Sequence, residues 1–504
     1  MNPSLPGGVV RAGSGPQAGR YLLPTAVAFI SIPILLTLFI LGFLPWRFLL
    51  GFVFGAASFA FALWRTGKQY DPLHPVRVFG AIWCFCLALA SLKLTTAISD
   101  WRPAMWGYVL TGLFSFVGGF WLITRHLTRG SARQEGAPKL ELPPSELLAP
   151  RRTLVLAIFC LTVGLAALAY EYYLIGEIPA LSENIDAART KFFATAGYWS
   201  HPEFDTLANK LIGILTMLCK YAAYLGMILL IQRSRKSLTH RYLAIAVVIG
   251  GSLALVSQGG RGSILDLVIF AGALFHYLRQ RLHFRQTAIA GFVLFLVLSF
   301  LGYFRLAAGS SAVAYEQTQN LSNLPQGPFW DRVILGYHSL TGPLEIFSRF
   351  TQDLPAVRRP SSGFLFYSLH RFVPRTDIQA FVFTLYWGTI TPTFLGEFYG
   401  DFGVWGVVLG PFVLGMVYGY VYYRALRYKS LYWICVLVIF LGILVYFFYL
   451  NLFSQQITWI LDLTSMACLI QLSKVGGIQR ILSFMRRGAI PIRAQGFVGA
   501  RFRT

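Results

Sequence analysis

Charged residues are scarce in this sequence. Asp, Glu, Lys and Arg make up 12% of its 504 residues, whereas hydrophobic residues make up 56%, and the mean hydropathy is +0.59. A chain with so little charge could not remain soluble as one globular domain. The composition therefore excludes a soluble enzyme and predicts a polytopic membrane protein.

Acidic residues are the scarcer of the two charge types, with 20 Asp and Glu against 43 Lys and Arg, which gives a net charge of +23. The basic residues are scattered over short segments between apolar stretches, and no nucleic-acid recognition module accompanies them. We therefore expect no nucleic-acid partner. The positive charge instead indicates membrane topology and attraction to anionic lipids.

Cysteines are also few, and the common catalytic motifs are missing. The six cysteines all lie inside apolar segments, which argues against a disulfide framework or a metal site. The sequence has no P-loop, no zinc-type His/Glu cluster and no nucleophile elbow. We expect no cofactor and no metal, so that any chemistry depends on positioning, charge and proton transfer.

About twelve apolar stretches are long enough to cross a bilayer, at roughly 20 residues per crossing. The predicted fold class is all-α: a polytopic integral membrane protein with about twelve transmembrane helices and one large outer loop carrying short helices. In chain order we expect a disordered cytoplasmic N-terminus (1–20), four transmembrane helices (21–130), a cytoplasmic linker (131–152), helices five to nine (153–304), the outer loop (305–397), helices ten to twelve (398–473) and a basic cytoplasmic tail (474–504).

Basic residues alternate along the chain with sparse or acidic segments, and this alternation predicts the orientation. Loops rich in arginine and lysine stay in the cytoplasm by the positive-inside rule. With about twelve helices, both termini are then cytoplasmic, and the acidic segment 171–206 and the loop 305–397 lie outside. Within the outer loop, Trp330 to His338 is too short to span and is predicted to form a helix that lies in the membrane interface or dips partway into the membrane.

Two arginines are candidate phosphate ligands at the outer surface. Arg261 lies in the turn Ser257-Gln258-Gly259-Gly260-Arg261-Gly262 between two apolar segments, and Arg305 lies at the outer end of the next helix. A guanidinium group can bind two phosphate oxygens, and a helix N-terminus attracts anions. We predict that Arg261, Arg305, Gly260 and Gly262 bind a lipid-linked phosphate. The alternative is that both arginines reach to lipid head groups.

Three residues are candidates for proton transfer or for substrate contact near that site. His338, in the outer loop, is the first candidate for a general base because a histidine accepts a proton near neutral pH. Glu397 is the second, and Asp401 is expected to share its helix face if the helix begins early. The alternative for both carboxylates is charge complementarity at a helix N-terminus. A lone histidine in a loop can likewise be structural or solvated.

The motif around Arg261 resembles the Ser-x-Gly-x-Arg-Gly signature of bacterial oligosaccharide repeat unit polymerases, the Wzy-type O-antigen and exopolysaccharide polymerases. The segment Pro392 to Gly406, PTFLGEFYGDFGVWG, is similar to the Pro-x-x-x-Gly-Glu-x-Tyr-x-x-Phe-Gly-x-x-Gly segment that follows their large periplasmic loop. The resemblance covers roughly Thr153 to Leu472. His338-Ser339 is similar to a His-Asn/Ser pair of the related O-antigen ligases, but Thr341 and Gly342 depart from the leucine that the ligases carry.

The resemblance implies a glycosyltransferase of the bacterial inner membrane that acts on the periplasmic face. Its donor would be a glycan on undecaprenyl pyrophosphate, and its acceptor a new lipid-linked repeat unit. A chain-length regulator and a repeat-unit flippase are the protein partners to expect. Arg261 and Arg305 would bind the pyrophosphate, and His338 or Glu397 would deprotonate the acceptor hydroxyl. Trp330, Tyr337, Tyr386, Trp387 and Tyr399 would supply surfaces on which sugars stack.

Two other functions stay open on the sequence alone. An O-antigen ligase would use the same donor and a different acceptor, and the sequence does not distinguish the two. A transporter of polysaccharide or lipid-linked oligosaccharide belongs to a different class, and Lys220 and Asp462 favour it because charges buried in a membrane often mark a pathway. Both residues lie near the middle of their predicted helices, so we expect them to form an ion pair.

Overall fold

The computed structural model describes residues 46–64, 71–94, 101–128, 142–195, 206–232, 237–259, 261–307, 328–353, 393–449 and 458–474. In these ranges the chain is helical, with a single isolated β-bridge between Leu148 and Lys474. The helices are α1 (Trp46–Leu63), α2 (Pro75–Leu92), α3 (Pro103–Thr128), α4 (Pro150–Ile175), α5 (Ile185–Thr195), α6 (Leu207–Thr216), α7 (Leu218–Ile231), α8 (Leu238–Ser257), α9 (Arg261–Leu278), α10 (Phe284–Ala307), α11 (Pro328–Asp353), α12 (Thr393–Phe402), α13 (Val404–Tyr428), α14 (Leu431–Val445) and α15 (Thr458–Ser473).

Seven segments of the described chain are long and apolar enough to cross a membrane. They are α2, α3, α4, the consecutive pair α6 and α7, α8, α13, and α14 with the turn that follows it. Three shorter apolar helices, in α1, α9 and α15, add to them. The all-helical membrane fold is therefore confirmed, whereas the expected number of twelve spans is not. The first predicted helix, from residue 21, lies outside the described residues, as do residues 1–20.

Helix α14 lies at the centre of the bundle. It is the most apolar of the spans, and most of its side chains are buried. Helices α2, α9, α13 and α15 all pack against it. An all-round apolar helix is typical of the interior of a helical membrane protein, because it has no polar face to turn toward water.

Helices α3 and α13 make the closest helix pair of the bundle through small residues. A side chain at Gly119 would place its Cβ 2.0 Å from the carbonyl oxygen of Phe412, and one at Gly415 would place it 2.1 Å from that of Phe116. Both distances are impossible for a real Cβ atom, so only glycine fits. Close backbone approach of this kind holds helices together in a membrane, because moving an apolar side chain from lipid into a helix interface gains little free energy.

Buried polar contacts join the helices at one end of the bundle, which we call the basic end. Asp71, just before α2, accepts hydrogen bonds from the Tyr422 hydroxyl of α13 at 2.8 Å and interacts with the His276 ring of α9 at 3.1 Å. Glu146 pairs with Lys474 at 2.8 Å and accepts a hydrogen bond from Ser430. The helix termini that carry the basic segments thus meet at one end, as the charge alternation predicts.

The second half of the predicted linker 131–152 packs against the helix bundle. Residues 129–141 lie outside the description, but Pro144–Glu146 forms a short 3₁₀ turn that docks on α14 and α15. The Leu148 amide donates to the side chain of Gln232, at the end of α7. The linker connects both halves of the bundle, because its carboxylate and amide groups form hydrogen bonds with polar groups at buried helix ends.

At the opposite end of the bundle lie helix termini that were predicted to face the outer compartment. The Leu94 amide after α2 donates to the Tyr337 hydroxyl of α11 at 3.2 Å. Trp101, before α3, donates its indole N–H to Glu345 of α11 at 2.9 Å. The large loop 305–397 is bounded differently from the prediction, because α10 continues to Ala307 and α12 already begins at Thr393.

The expected pairing of Lys220 with Asp462 is confirmed. The Lys220 ammonium group lies 2.7 and 2.8 Å from the two carboxylate oxygens of Asp462, and the Tyr221 hydroxyl donates to the same carboxylate at 2.9 Å. Both residues line a cavity of about 50 Å³, together with Asp266 of α9. The pair neutralises two charges in a region where an isolated charge is costly.

This geometry predicts an asymmetric pair of effects on stability. Lys220→Leu leaves the Asp462 and Asp266 carboxylates without their shared cation, whereas Asp462→Leu leaves Lys220 with Asp266 still beside it. Breaking a buried pair costs about 3–5 kcal/mol. We expect a clear loss of melting temperature for both, larger for Lys220→Leu, measured on purified protein in detergent.

The double variant Lys220→Leu/Asp462→Leu is the control for this pair, and it should melt higher than the sum of the two single losses predicts. Strictly additive losses would contradict the pairing.

Asp71 gives a second prediction, which concerns pH. Burial, the largest single cause, raises the pKa of this carboxyl, but the hydrogen bonds from His276 and Tyr422 and the charges of His276 and His74 together outweigh it and lower the pKa from 3.8 to about 2. A pKa that is lower in the folded state stabilises the fold above the unfolded value and loses this contribution as the pH falls toward the folded value. The stabilisation by Asp71 is therefore present above about pH 4.

We expect Asp71→Asn to lower the melting temperature most at pH 5 to 7, and its difference from the unmodified protein to shrink as the pH falls below about 4. Melting curves at several pH values, with the exposed Glu183→Gln as a control that changes little, measure this. A difference that stays constant down to pH 3 would contradict the assigned role of the charge.

Candidate functional site

The turn between α8 and α9 contains the glycine-rich motif of the sequence. Helix α8 ends at Ser257, whose hydroxyl lies 2.6 Å from that of Tyr172 near the end of α4. Gly259 adopts a left-handed conformation with φ of +73° and donates its amide to Val256. A side chain there would be strained, and its Cβ would contact Ile185 and Pro179. Those contacts are at ordinary packing distances, so glycine is required at this position for its conformation rather than for space.

Arg261 is the first residue of α9, as the motif predicted. At this position the peptide dipoles of the helix favour an anion, and the first amide groups have no partner within the helix. The Arg261 side chain and Gly260 lie outside the described part of the structure, and so does the Arg305 side chain in the last turn of α10. The expected placement of both arginines at helix termini is confirmed for the backbone, and the convergence of their side chains stays a prediction.

Gly262, the last residue of the motif, contacts a residue that the sequence did not single out. The Tyr446 hydroxyl, in the 3₁₀ turn Tyr446–Phe448 after α14, donates a hydrogen bond to the Gly262 carbonyl oxygen at 2.9 Å. The two residues are 184 positions apart. No pattern in the sequence indicates such a contact.

Helix α11 carries His338, and it differs from the predicted short interfacial helix. It has 26 residues and continues past His338 through Pro343 to Asp353. Its inner face is buried, with Tyr337, Thr341 and Glu345 in contact with the bundle. The prediction of a helix limited to Trp330–His338 is wrong, since tertiary contacts hold a helical conformation across Thr341-Gly342-Pro343, three residues that are weak helix formers on their own.

Contacts of Glu345 fix the position of α11. Its carboxylate accepts from the Trp101 indole at 2.9 Å and from the guanidinium of Arg349, one turn later, also at 2.9 Å. Because a hydrogen bond to a charged group is among the stronger kinds, it resists sliding or rotation of the helix. His338 lies two turns before Glu345 on the same helix. Its side chain is outside the described part of the structure.

Glu397 and Asp401 both lie in α12, so the helix does begin early enough to contain the pair. Their surroundings differ, however. Glu397 is 3% exposed, whereas Asp401 is partly exposed. Helix α12 is distinct from the membrane-spanning α13 that follows it, since Gly403 with φ of +60° separates the two. The break sets α12 apart as a short helix beneath α11.

Two of the aromatic residues expected to stack on sugars are buried instead. Tyr337 is held by Leu94, and Tyr399 packs against Phe347, Phe350 and Tyr108. Those two assignments are wrong, because a buried ring has no face to offer a sugar. The Trp330 side chain and residues Tyr386 and Trp387 lie outside the described part of the structure.

The helices that carry the candidate residues are neighbours in space. Helix α9 packs against α10, α10 against α11, and α11 against α12. Arg261, Arg305, His338 and Glu397 thus belong to one contiguous row of helices. Such a row can present cations for a phosphate leaving group together with a base for an attacking hydroxyl.

Comparison with protein families gives a match over most of the chain. The family model described as Putative O-antigen polymerase matches residues 73–452. The matched region contains both motifs, begins well before the expected Thr153 and ends before Leu472. No curated protein and no solved structure matches the chain. Because the match covers most of the sequence, including the whole row of helices from α9 to α12, this chain belongs to the O-antigen polymerase family.

Proposed function

We propose that this protein is a glycosyltransferase that joins oligosaccharide repeat units carried on undecaprenyl pyrophosphate, on the periplasmic face of the bacterial inner membrane. The product is an O-antigen or an exopolysaccharide. The observation that carries the proposal is the family match over residues 73–452, which include Gly260 and the row α9 to α12 with the other candidate residues of the site. A repeat-unit flippase would supply the substrate, and a chain-length regulator would act beside the enzyme.

In this reaction the acceptor hydroxyl attacks the anomeric carbon of the donor sugar. A new C–O bond forms while the bond between the sugar and the pyrophosphate breaks, and undecaprenyl pyrophosphate leaves as an anion. Arg261 and Arg305 at their helix termini bind and stabilise that anion. His338 takes the proton of the hydroxyl, with Glu397 as the alternative base. Gly260, Gly262 and Asp401 border the substrate.

We favour His338 over Glu397 as the general base because the Glu397 carboxylate is buried. Glu397 is almost fully buried in α12, so a sugar hydroxyl reaches it only if α12 or α11 moves. Asp401, one turn later and partly exposed, is accessible without such a movement. We therefore assign Glu397 to the support of the site and Asp401 to its border.

Substitutions separate donor binding from proton transfer. Arg261→Lys keeps the charge but loses the bidentate geometry, so it should weaken donor use at normal expression. His338→Ala should leave donor binding intact and lower turnover by roughly 100-fold or more. The assay is chain growth on gels by purified protein in nanodiscs with an undecaprenyl pyrophosphate oligosaccharide, and binding is measured separately.

Arg427→Lys, at the basic end of the bundle, is the matched control and should grow chains normally. Full polymerisation by His338→Ala together with loss of activity in Glu397→Gln would move the base to Glu397. Full activity of both Arg261→Ala and Arg305→Ala would refute the pyrophosphate site. Transfer to a different acceptor without chain growth would identify a ligase.

Orientation in the membrane has its own test. Leu181, between α4 and α5, is 80% exposed at the end opposite the basic end, and Leu238, at the start of α8, is 70% exposed at the basic end. In a Cys468→Ser background, which removes the exposed native thiol, Leu181→Cys should react with a membrane-impermeant maleimide in intact spheroplasts. Leu238→Cys should react after lysis alone, because the positive-inside rule places it in the cytoplasm. The reverse pattern would place the site on the cytoplasmic face.

A further inference from the structure

Tyr446 connects the glycine-rich motif to the helices that carry the other candidate residues. Its hydroxyl donates to the carbonyl oxygen of Gly262, the residue directly after Arg261. The 3₁₀ turn that begins with Tyr446 also packs against α11 and α12. In that turn Phe447 stacks on Phe394 of α12, with ring centroids 4.8 Å apart and planes 7° from parallel. A single short turn therefore touches the start of α9 on one side and the helix of Glu397 on the other.

This contact explains why the motif ends in glycine. A Cβ atom at Gly262 would lie 3.1 Å from the Tyr446 hydroxyl oxygen, closer than ordinary packing allows, and 3.9 Å from the ring carbon that bears it. Any larger residue at position 262 must push the hydroxyl away from the carbonyl. The glycine thus permits a specific hydrogen bond, whereas its φ is not unusual and needs no explanation.

The next turn of α9 also faces the bundle core. Asp266, four residues after Gly262, lines the cavity that also contains Lys220 and Asp462. The first two turns of α9 thus contact the core through Gly262 and Asp266. On the other side of the motif, the Tyr172 hydroxyl fixes Ser257.

We propose that Tyr446 is a positioning residue for the pyrophosphate site, which sets the start of α9 and hence Arg261 against α11 and α12. This inference rests on the proposed function. In the proposed reaction Tyr446 does not contact the substrate and acts through Arg261. Because a guanidinium group binds two phosphate oxygens only in the correct orientation, a small rotation of the first turn of α9 weakens binding.

The test measures the Kd of undecaprenyl pyrophosphate for purified protein in nanodiscs. Tyr446→Phe removes the hydroxyl and keeps the ring, so packing against α12 is preserved. A net hydrogen bond contributes up to about 1.5 kcal/mol, so the Kd should rise by up to about tenfold. Tyr418→Phe is the matched control. It removes a tyrosine hydroxyl that donates to the Phe440 carbonyl oxygen of α14 at 2.8 Å instead of to α9, and it should leave the Kd unchanged.

Double variants distinguish positioning from general stability. If Tyr446 acts through Arg261, Arg261→Ala/Tyr446→Phe binds no more weakly than Arg261→Ala alone. Gly262→Ala should weaken binding when Tyr446 is present. In the Tyr446→Phe background the same substitution should weaken binding much less, because the hydroxyl that the alanine side chain displaces is already gone. Both results support the proposal.

The remaining outcomes would refute either the positioning role of Tyr446 or the proposed function on which it rests. An unchanged Kd for Tyr446→Phe, or additive effects with Arg261→Ala, would refute the positioning role and leave the pyrophosphate site in place. A Kd for Arg261→Ala equal to that of the unmodified protein would instead refute the site itself, whatever Tyr446 does. A Kd that rises equally in Tyr418→Phe and Tyr446→Phe would show a general loss of stability, and it too would refute the positioning role.

Discussion

The bundle depends on contacts other than apolar burial, because in lipid an apolar side chain gains little by leaving its surroundings for another helix. Close backbone packing is one such contact, and Gly119 and Gly415 allow it between α3 and α13. Buried polar interactions are the other. They occur near the middle, at Lys220 and Asp462, and at the basic end, at Asp71 and Glu146. Each joins helices that are far apart in the sequence.

The same constraint shapes the site at the opposite end. The glycine-rich turn is held by two tyrosine hydroxyls, from Tyr172 and Tyr446, and α11 is held by the Glu345 carboxylate. None of these groups belongs to the expected chemistry. They restrict the backbone from which the candidate side chains project, and precise placement of charge is what stabilises a leaving anion. Aliphatic contacts alone would leave these helix termini free to rotate.

Hydropathy and helix-breaking residues predicted most of the membrane helices closely. For example, α4 begins at Pro150, close to the predicted boundary at 153, and α14 with its following turn lies in the predicted segment 398–473. Local patterns did not reveal the break at Met217 between α6 and α7, because it lies within one long apolar segment. Helix α11 was underestimated for the opposite reason, since its buried polar face looks like a loop. Motif spacing indicated Arg261 and Glu397, but Tyr446 could not be found, as its role comes entirely from a long-range contact.

The pairing of Lys220 with Asp462 also bears on the transporter interpretation, for which those two charges were the main argument. A pathway for an anionic head group needs cations that face it at several depths. Here the Lys220 ammonium is bound by both carboxylate oxygens of Asp462, with the second carboxylate of Asp266 nearby. The positive charge of Lys220 is thus compensated by Asp462 within the protein rather than presented to a phosphate. A cavity of about 50 Å³ is also far too small for a lipid-linked sugar. These charges instead hold α7, α9 and α15 together beneath the turn that bears Arg261, so they belong to the framework of the proposed site.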